Sequence, residues 1–323
     1  MFLTILLLIV SLAMILLGAN WLIDGGSGVA KRFGLSEIVI GLTIVAFGTS
    51  APEFVISALS SVKGNAEIAI GNVVGSNIVN VLFIIGITAM IRPIKVEHNT
   101  LNNEIPLVIV ASLSLLACGN SVFLDKTPNM VSRVEGIMML LFFAIFVRYT
   151  FTQAKAELPA EIPEAKEKPL CDMPLGKALF LIAIGLVGLI WGGDIFVNSA
   201  SKLASALGVS DAIIGLTIVA IGTSLPELAA SVVAAVKGLP SLAVGNIVGS
   251  CIFNIFFVLG VSAVIRPLPF GDIGNLDLLT MTGAAILFWL FGWLIGKRTI
   301  TRPEGLVMAL LYCAYSALLI AKA

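Results

Sequence analysis

The sequence predicts an all-α polytopic membrane protein: ten transmembrane helices forming two inverted five-helix repeats, with the second and seventh helices broken. Three observations predict it. Of 323 residues, 59% are hydrophobic and 12% charged, about half the charged share of a soluble globular protein, and the mean hydropathy is +1.08. Apolar stretches of the roughly 20 residues needed to cross a bilayer recur along the chain. The sequence also repeats itself at an offset of 174 residues.

The first span, 2–23, has no basic stretch ahead of it and too long an apolar run for a signal peptide. Spans follow at 36–62, 66–91, 104–119 and 131–153, then at 175–197, 210–236, 240–265, 276–297 and 303–321. The polar stretch 153–174, with Pro159, Pro163, Pro169 and Pro174, reads as a linker. The chain thus divides into a first repeat (1–152), the linker (153–174) and a second repeat (175–323). Lys and Arg in alternate loops number thirteen on the linker side and six on the other. Because positive charge collects on the cytoplasmic side, the linker is expected in the cytoplasm and both termini outside it, in a bacterial inner (plasma) membrane.

The repeat is sharpest in two blocks. Gly41 to Phe54 (GLTIVAFGTSAPEF) matches Gly215 to Leu228 (GLTIVAIGTSLPEL) at eleven of fourteen positions. Gly64 to Asn80 matches Gly238 to Asn254 at nine of seventeen. Each half holds an odd number of spans, so the second inserts upside down relative to the first, an arrangement found in secondary transporters.

Several functions are excluded at this stage. A net charge of zero gives no electrostatic basis for nucleic-acid binding. The four cysteines (Cys118, Cys171, Cys251, Cys313) form no CxxC pair, and His98 is the only histidine, which excludes an HExxH zinc site. No GxxxxGK[ST] stretch is present, so ATP-driven pumping by this chain is out. No cofactor and no obligatory protein partner beyond the lipid bilayer is expected.

The repeated blocks carry the chemistry. Glu53 and Glu227 are the carboxylates placed well inside spans, where a charge costs at least about 2.5–3.5 kcal/mol on insertion scales. Pro52 and Pro226 precede them, and each lacks the N–H that would bond the carbonyl four residues back, at Gly48 and Gly222. Freed carbonyls at that depth persist only where they line a cavity or meet an ion. Thr49, Ser50, Thr223 and Ser224 add hydroxyls on the interrupted turn. Ser57 and Ser231 lie four residues after the glutamates, on the same helical face. Asn72, Ser76 and Asn80 form a polar stripe in the third span, and Asn246, Ser250 and Asn254 do so in the eighth. Helix-to-helix hydrogen bonding is the plain alternative role for the asparagines. Gly71 and Gly75, like Gly245 and Gly249, are read as close-packing positions.

Every candidate ligand is a hard oxygen, which selects Ca²⁺, Na⁺, Mg²⁺ or protons over zinc or copper. Ca²⁺ accepts six to eight oxygens in loose geometry; Mg²⁺ holds its waters and suits an all-protein cage less. The empty deprotonated pair carries about −2, costly to move through a sealed intermediate. One Ca²⁺, two or more Na⁺ or two protons would neutralise it, which is the asymmetry obligatory exchange requires.

At these residues the chain resembles the cation/calcium exchanger superfamily, and within it the bacterial calcium/sodium antiporters. The two G-T-S-x-P-E stretches and the two G-N-x-V-G-S-x-I-x-N stretches are similar to that family's alpha repeats. The resemblance implies a transporter rather than an enzyme. It implies Glu53 and Glu227 as central Ca²⁺ ligands shared with Na⁺, and Thr49, Ser50, Thr223 and Ser224 as hydroxyl and carbonyl ligands. Ser76, Asn80, Ser250 and Asn254 would complete the Na⁺ sites, and the first and sixth helices would slide across the core. Certain exchangers carry a carboxylate where Asn254 stands; here Asn80 and Asn254 are both amides. Alternatives are a Ca²⁺/H⁺ exchanger of the same fold, a Ca²⁺ channel and an intramembrane hydrolase. Asn20 aligns with Asp194 and Asp24 with Asn198, near span ends, where helix-end roles are expected. Ser36-Glu37 and Ser210-Asp211 are read as helix N-caps with first-turn acids.

Overall fold

A computed structural model of the chain describes residues 2–156, 173–207, 220–295 and 297–322. The chain is mostly helical. In order, the helices are α1 (Phe2–Phe33), α2 (Glu37–Thr49), α3 (Ala51–Lys63), α4 (Ala66–Ile91), α5 (Thr100–Cys118), α6 (Arg133–Ala156) and α7 (Leu175–Ala206). Then come α8 (Ala220–Thr223), α9 (Leu225–Val236), α10 (Pro240–Ile265), α11 (Asn275–Leu294) and α12 (Arg302–Lys322). Among the described residues eight helices are long and apolar enough to cross a membrane, and α2 with α3 makes a ninth span bent by 48°. Most of the expected linker, and the start of the seventh span with Ser210 and Asp211, lie outside the described residues.

Two helices outrun the sequence expectation. α1 and α7 each span 32 residues, continuing past the Gly25-Gly26 and Asp194–Asn198 stretches at which hydropathy alone ends a span. Tertiary packing carries them on: α1 lies along α7, so close that a Cβ added at Gly18 would stand 2.8 Å from the carbonyl oxygen of Gly185. α5 begins four residues before its expected start, with a π-helical turn at Thr100–Glu104. Ser36 occupies the N-cap of α2 but makes no capping bond with its side chain.

The core forms where α2, α4 and α10 meet. A Cβ at Gly41 would stand 2.6 Å from the Leu242 carbonyl oxygen, and one at Gly245 2.6 Å from that of Ile38; only glycine lets these backbones touch. Gly249 sits equally close to Leu42. By the repeat offset, the matching neighbours of Gly71 and Gly75 would fall within 212–220, mostly outside the described residues. Around this contact Ile70, Ile78, Ile247, Cys251 and Ile252 are buried.

Two short antiparallel strand pairs tie the halves together. β1 (Ile94–Lys95) pairs with β4 (Thr299–Ile300), and β2 (Met130–Val131) pairs with β3 (Leu268–Pro269). β1 and β2 flank opposite ends of α5, so the two pairs mark opposite faces of the helical slab. Each pair joins a strand of one half to a strand of the other.

Candidate cation site

The proline rule acts where expected. The helix through Glu53 stops at Thr49 and restarts at Ala51, with Ser50 between them in a non-helical conformation. In the second half Ser224 interrupts the helix between Thr223 and Leu225 in the same way. Glu53 and Glu227 therefore occupy the first turns of α3 and α9, where unpaired N–H groups and the helix dipole favour negative charge. The carbonyl-bearing ends of α2 and α8 abut the same two breaks, a partially negative surface suited to cations.

Glu53, Glu227, Ser50, Thr49 and Ser224 are fully buried, as are Asn80, Ser250 and Asn254, with Ser76 2% exposed. Thr223 is partly buried. The two carboxylates are near enough for their charges to interact. Ser76 adjoins Glu53; Ser50, Thr49 and Ser250 adjoin Glu227. Ser50 Oγ donates to Glu227 Oε1 at 2.8 Å.

Several other site atoms are left unsatisfied. Both carboxylate oxygens of Glu53, Oε2 of Glu227, the hydroxyls of Ser76, Ser224 and Ser250, both amide atoms of Asn80 and Oδ1 of Asn254 are buried without a hydrogen-bond partner. A buried polar group without a partner costs about 1–3 kcal/mol. Several of these atoms gather about the two carboxylates, and buried polar atoms without a partner call for one. Among the described residues no three His, Cys, Asp or Glu side chains converge on a metal-sized point; the donor set is two carboxylates with amides and hydroxyls.

A second layer of bonds holds the glutamates. Asn72 Nδ2 donates to the backbone carbonyl of Glu53 at 3.1 Å and to Ser57 Oγ at 3.0 Å. Asn246 repeats this with Glu227 O at 3.3 Å and Ser231 Oγ at 3.0 Å, and its Oδ1 accepts from Thr49 Oγ1 at 3.1 Å. The alternative reading of these two asparagines as helix-to-helix links is what the geometry shows. They brace the broken helices.

Two features were not legible beforehand. Asn80 and Asn254 each sit in a π-helical turn, Val79–Ile84 and Phe253–Leu259, a widening common at functional sites that no residue pattern announces. Asn77 accepts from Asn254 Nδ2 at 3.5 Å, which leaves Asn254 Oδ1 free for the cavity. By the repeat offset Asn77 is the mate of Cys251.

A cleft of about 670 Å³ reaches Pro52 and Pro226 between α3, α7 and α8, lined also by Asp194, Asn198, Ser201 and Thr223. From the level of the glutamates it runs beside Val55 and Ile56, toward the β2/β3 face. The equivalent place on the β1/β4 face is closed by α1 packed against α9. Val55 in the cleft is 50% exposed, whereas its repeat mate Ala229 is 8% exposed. Asp194 and Asn198 thus border an access route rather than merely ending a helix.

A many-span helical protein with two buried carboxylates at related helix breaks and a path from one face has the build of an ion transporter. The sodium/calcium exchanger protein family model matches residues 3–152 and 177–321, and the chain belongs to that family. It is 37% identical to CaxA of Alkalimonas amylolytica, over 96% of this chain and 97% of that one. It is 31% identical to the sodium/calcium exchanger MaX1 of Methanosarcina acetivorans, over 97% of each. A solved structure of the sodium-calcium exchanger NCX_Mj, soaked with Na⁺ and Sr²⁺, superimposes with a TM-score of 0.83 at 32% identity, covering 98% of both chains.

Proposed function

We propose that the chain is a secondary antiporter that exchanges Ca²⁺ for Na⁺ across the membrane by alternating access. Glu53 and Glu227 are its central shared ligands. Thr49, Ser50, Thr223 and Ser224 contribute oxygens from the two helix breaks, and Ser76, Asn80, Ser250 and Asn254 contribute them from α4 and α10. The observation that carries the reading is the cluster of buried, unpartnered oxygens around the two carboxylates. Hard oxygens suit Ca²⁺ and Na⁺, and the names of relatives across the family point to the same pair of ions.

The architecture we propose is ten spans in two inverted repeats, 1–152 and 175–323, about a cytoplasmic linker at 153–174, with both termini outside. The strand pairs support the count. Between β1 and β4 the described helices α5, α6, α7, α10 and α11 make five crossings, and paired strands on one face require an even number. One further crossing, between α7 and α10, restores the parity. The pairing of β2 with β3 demands the same.

In this mechanism both oxygens of Glu53 have no protein partner, so a cation enters there without breaking a bond. At Glu227 the Ser50 hydroxyl rotates from donating to Oε1 toward presenting its lone pairs. A filled site is near neutral and crosses the sealed intermediate, whereas an empty one retains its charge. Exchange follows from that difference.

The test is Ca²⁺ uptake into proteoliposomes loaded with Na⁺, beside equal-Na⁺ and pH-gradient controls and a Glu53→Gln preparation. Uptake that requires the Na⁺ gradient and vanishes in the variant supports the reading. Uptake driven by the pH gradient alone would replace Na⁺ with H⁺ at the same site.

A further inference from the structure

Lys237 Nζ meets Asp24 Oδ1 at 2.7 Å and donates to the backbone carbonyl of Asn20 at 3.3 Å. It is the one ion pair among the described residues. It joins α1 to the turn between α9 and α10, across the side where the β1/β4 face is shut. That turn is itself anchored: Arg92 donates to the Ala235 carbonyl at 3.5 Å, and Gly238 adopts a φ of +83°, which fixes where Lys237 emerges.

The repeat supplies the comparison. Adding 174 to Lys63 gives Lys237, and adding it to Asn20 and Asp24 gives Asp194 and Asn198. On the open face, therefore, the mate of the lysine is kept but the mate of its carboxylate is an amide. The acid has moved one turn along, to Asp194, and both Asp194 and Asn198 border the cleft. Swapping the conformations of two inverted repeats converts a protein open on one face into one open on the other. The joint that closes the second face would then set Lys63 against Asn198 rather than against a carboxylate.

We propose that Asp24 and Lys237 form an ionic latch on the β1/β4 face, unmatched on the opposite face, which biases the protein toward the state open on the β2/β3 side. The inference rests on the alternation proposed above. The Lys237 and Asp24 side chains are 27% and 51% exposed, so the bias is that of a partly solvated pair, about two- to five-fold in the ratio of the two states, and it weakens as salt screens the charges.

The test uses the full chain carrying Ser201→Cys, a position in the cleft, with labelling by a maleimide measured in detergent and choline buffer free of Na⁺ and Ca²⁺. Labelling is taken above that of the chain without the new cysteine. Asp24→Asn and Lys237→Gln should each slow labelling, by at most about two- to five-fold, as should added choline chloride in the parent, whose latch is intact. The charge-swapped pair D24K/K237D should restore the parental rate, which a simple folding defect would not do. Unchanged labelling in both single variants, or a swap no faster than they are, overturns the latch. Ca²⁺ uptake by the parent, measured separately, reports on the exchange reading itself.

Discussion

Ser50, in the break of the first half, donates a 2.8 Å hydrogen bond to Oε1 of Glu227, in the first turn after the break of the second half. A residue at the break of one half thus bonds a residue at the break of the other, so the two breaks adjoin. The reciprocal bond is absent, since Ser224 Oγ and both oxygens of Glu53 lack partners. The two carboxylates are chemically unequal before any ion arrives.

Glu53→Gln and Glu227→Gln should each reduce Na⁺-driven Ca²⁺ uptake to background, because an amide supplies one neutral oxygen where a carboxylate supplied two charged ones. Neither variant should lose thermal stability without ions. Replacing one of two interacting buried carboxylates removes repulsion, so the apo melting temperature should hold or rise. A melting temperature that falls by ten degrees or more would instead mark the glutamate as a structural group.

Removing Ser50 and Ser224 should separate the halves. Ser50→Ala deletes a bond to Glu227 as well as a candidate ligand, whereas Ser224→Ala deletes only an unpartnered hydroxyl. Both should weaken apparent Ca²⁺ affinity, by about two- to ten-fold on the net scale of one neutral polar contact. Ser50→Ala should show the smaller effect, because the bond it deletes belongs to the empty site and its loss offsets part of the lost ligand. Equal shifts in Ca²⁺-dependence of uptake would contradict the inequality seen here.

Asn72→Ala and Asn246→Ala should destabilise the protein by roughly 1–3 kcal/mol each, the scale of buried hydrogen bonds left without a partner. Asn246 holds Thr49 in addition to Glu227 and Ser231, so its loss should cost more. Thermal unfolding in detergent, read by tryptophan emission, ranks the two.

Acid should inhibit. A protonated carboxyl is a poor cation ligand, so Ca²⁺ uptake at fixed Na⁺ gradient should fall as pH is lowered, and raising Ca²⁺ should restore it. The sign is fixed by competition for Glu53 and Glu227. Inhibition that no Ca²⁺ concentration relieves would place the titrating group elsewhere.

Gly245→Val should be among the most damaging core changes, since its first added carbon would meet the Ile38 carbonyl at 2.6 Å. Overpacking of this kind costs about 1–3 kcal/mol. Because α2 would be pushed from α10, the yield of folded protein and the melting temperature should both drop.

The sequence by itself determined the membrane class, most of the spans, the repeat and the two helix breaks with the carboxylates and hydroxyls beside them. These follow from rules that act over a few residues: about twenty apolar side chains cross a bilayer, a proline removes one backbone bond, and a carboxylate does not enter hydrocarbon without a purpose. Glu53, Pro52 and their mates were legible for that reason. Only the tertiary structure decided that Ser50 bonds to Glu227, that Thr49 is held by Asn246, that Asn80 and Asn254 ride in π turns, that α1 and α7 continue past their hydropathic ends, and that a cleft reaches Pro52 and Pro226 on one side while Asp24 pairs with Lys237 on the other. Each depends on groups far apart in the chain meeting at a given distance. Which oxygen finds a partner, and which is left without one, is set by that packing and not by any local pattern.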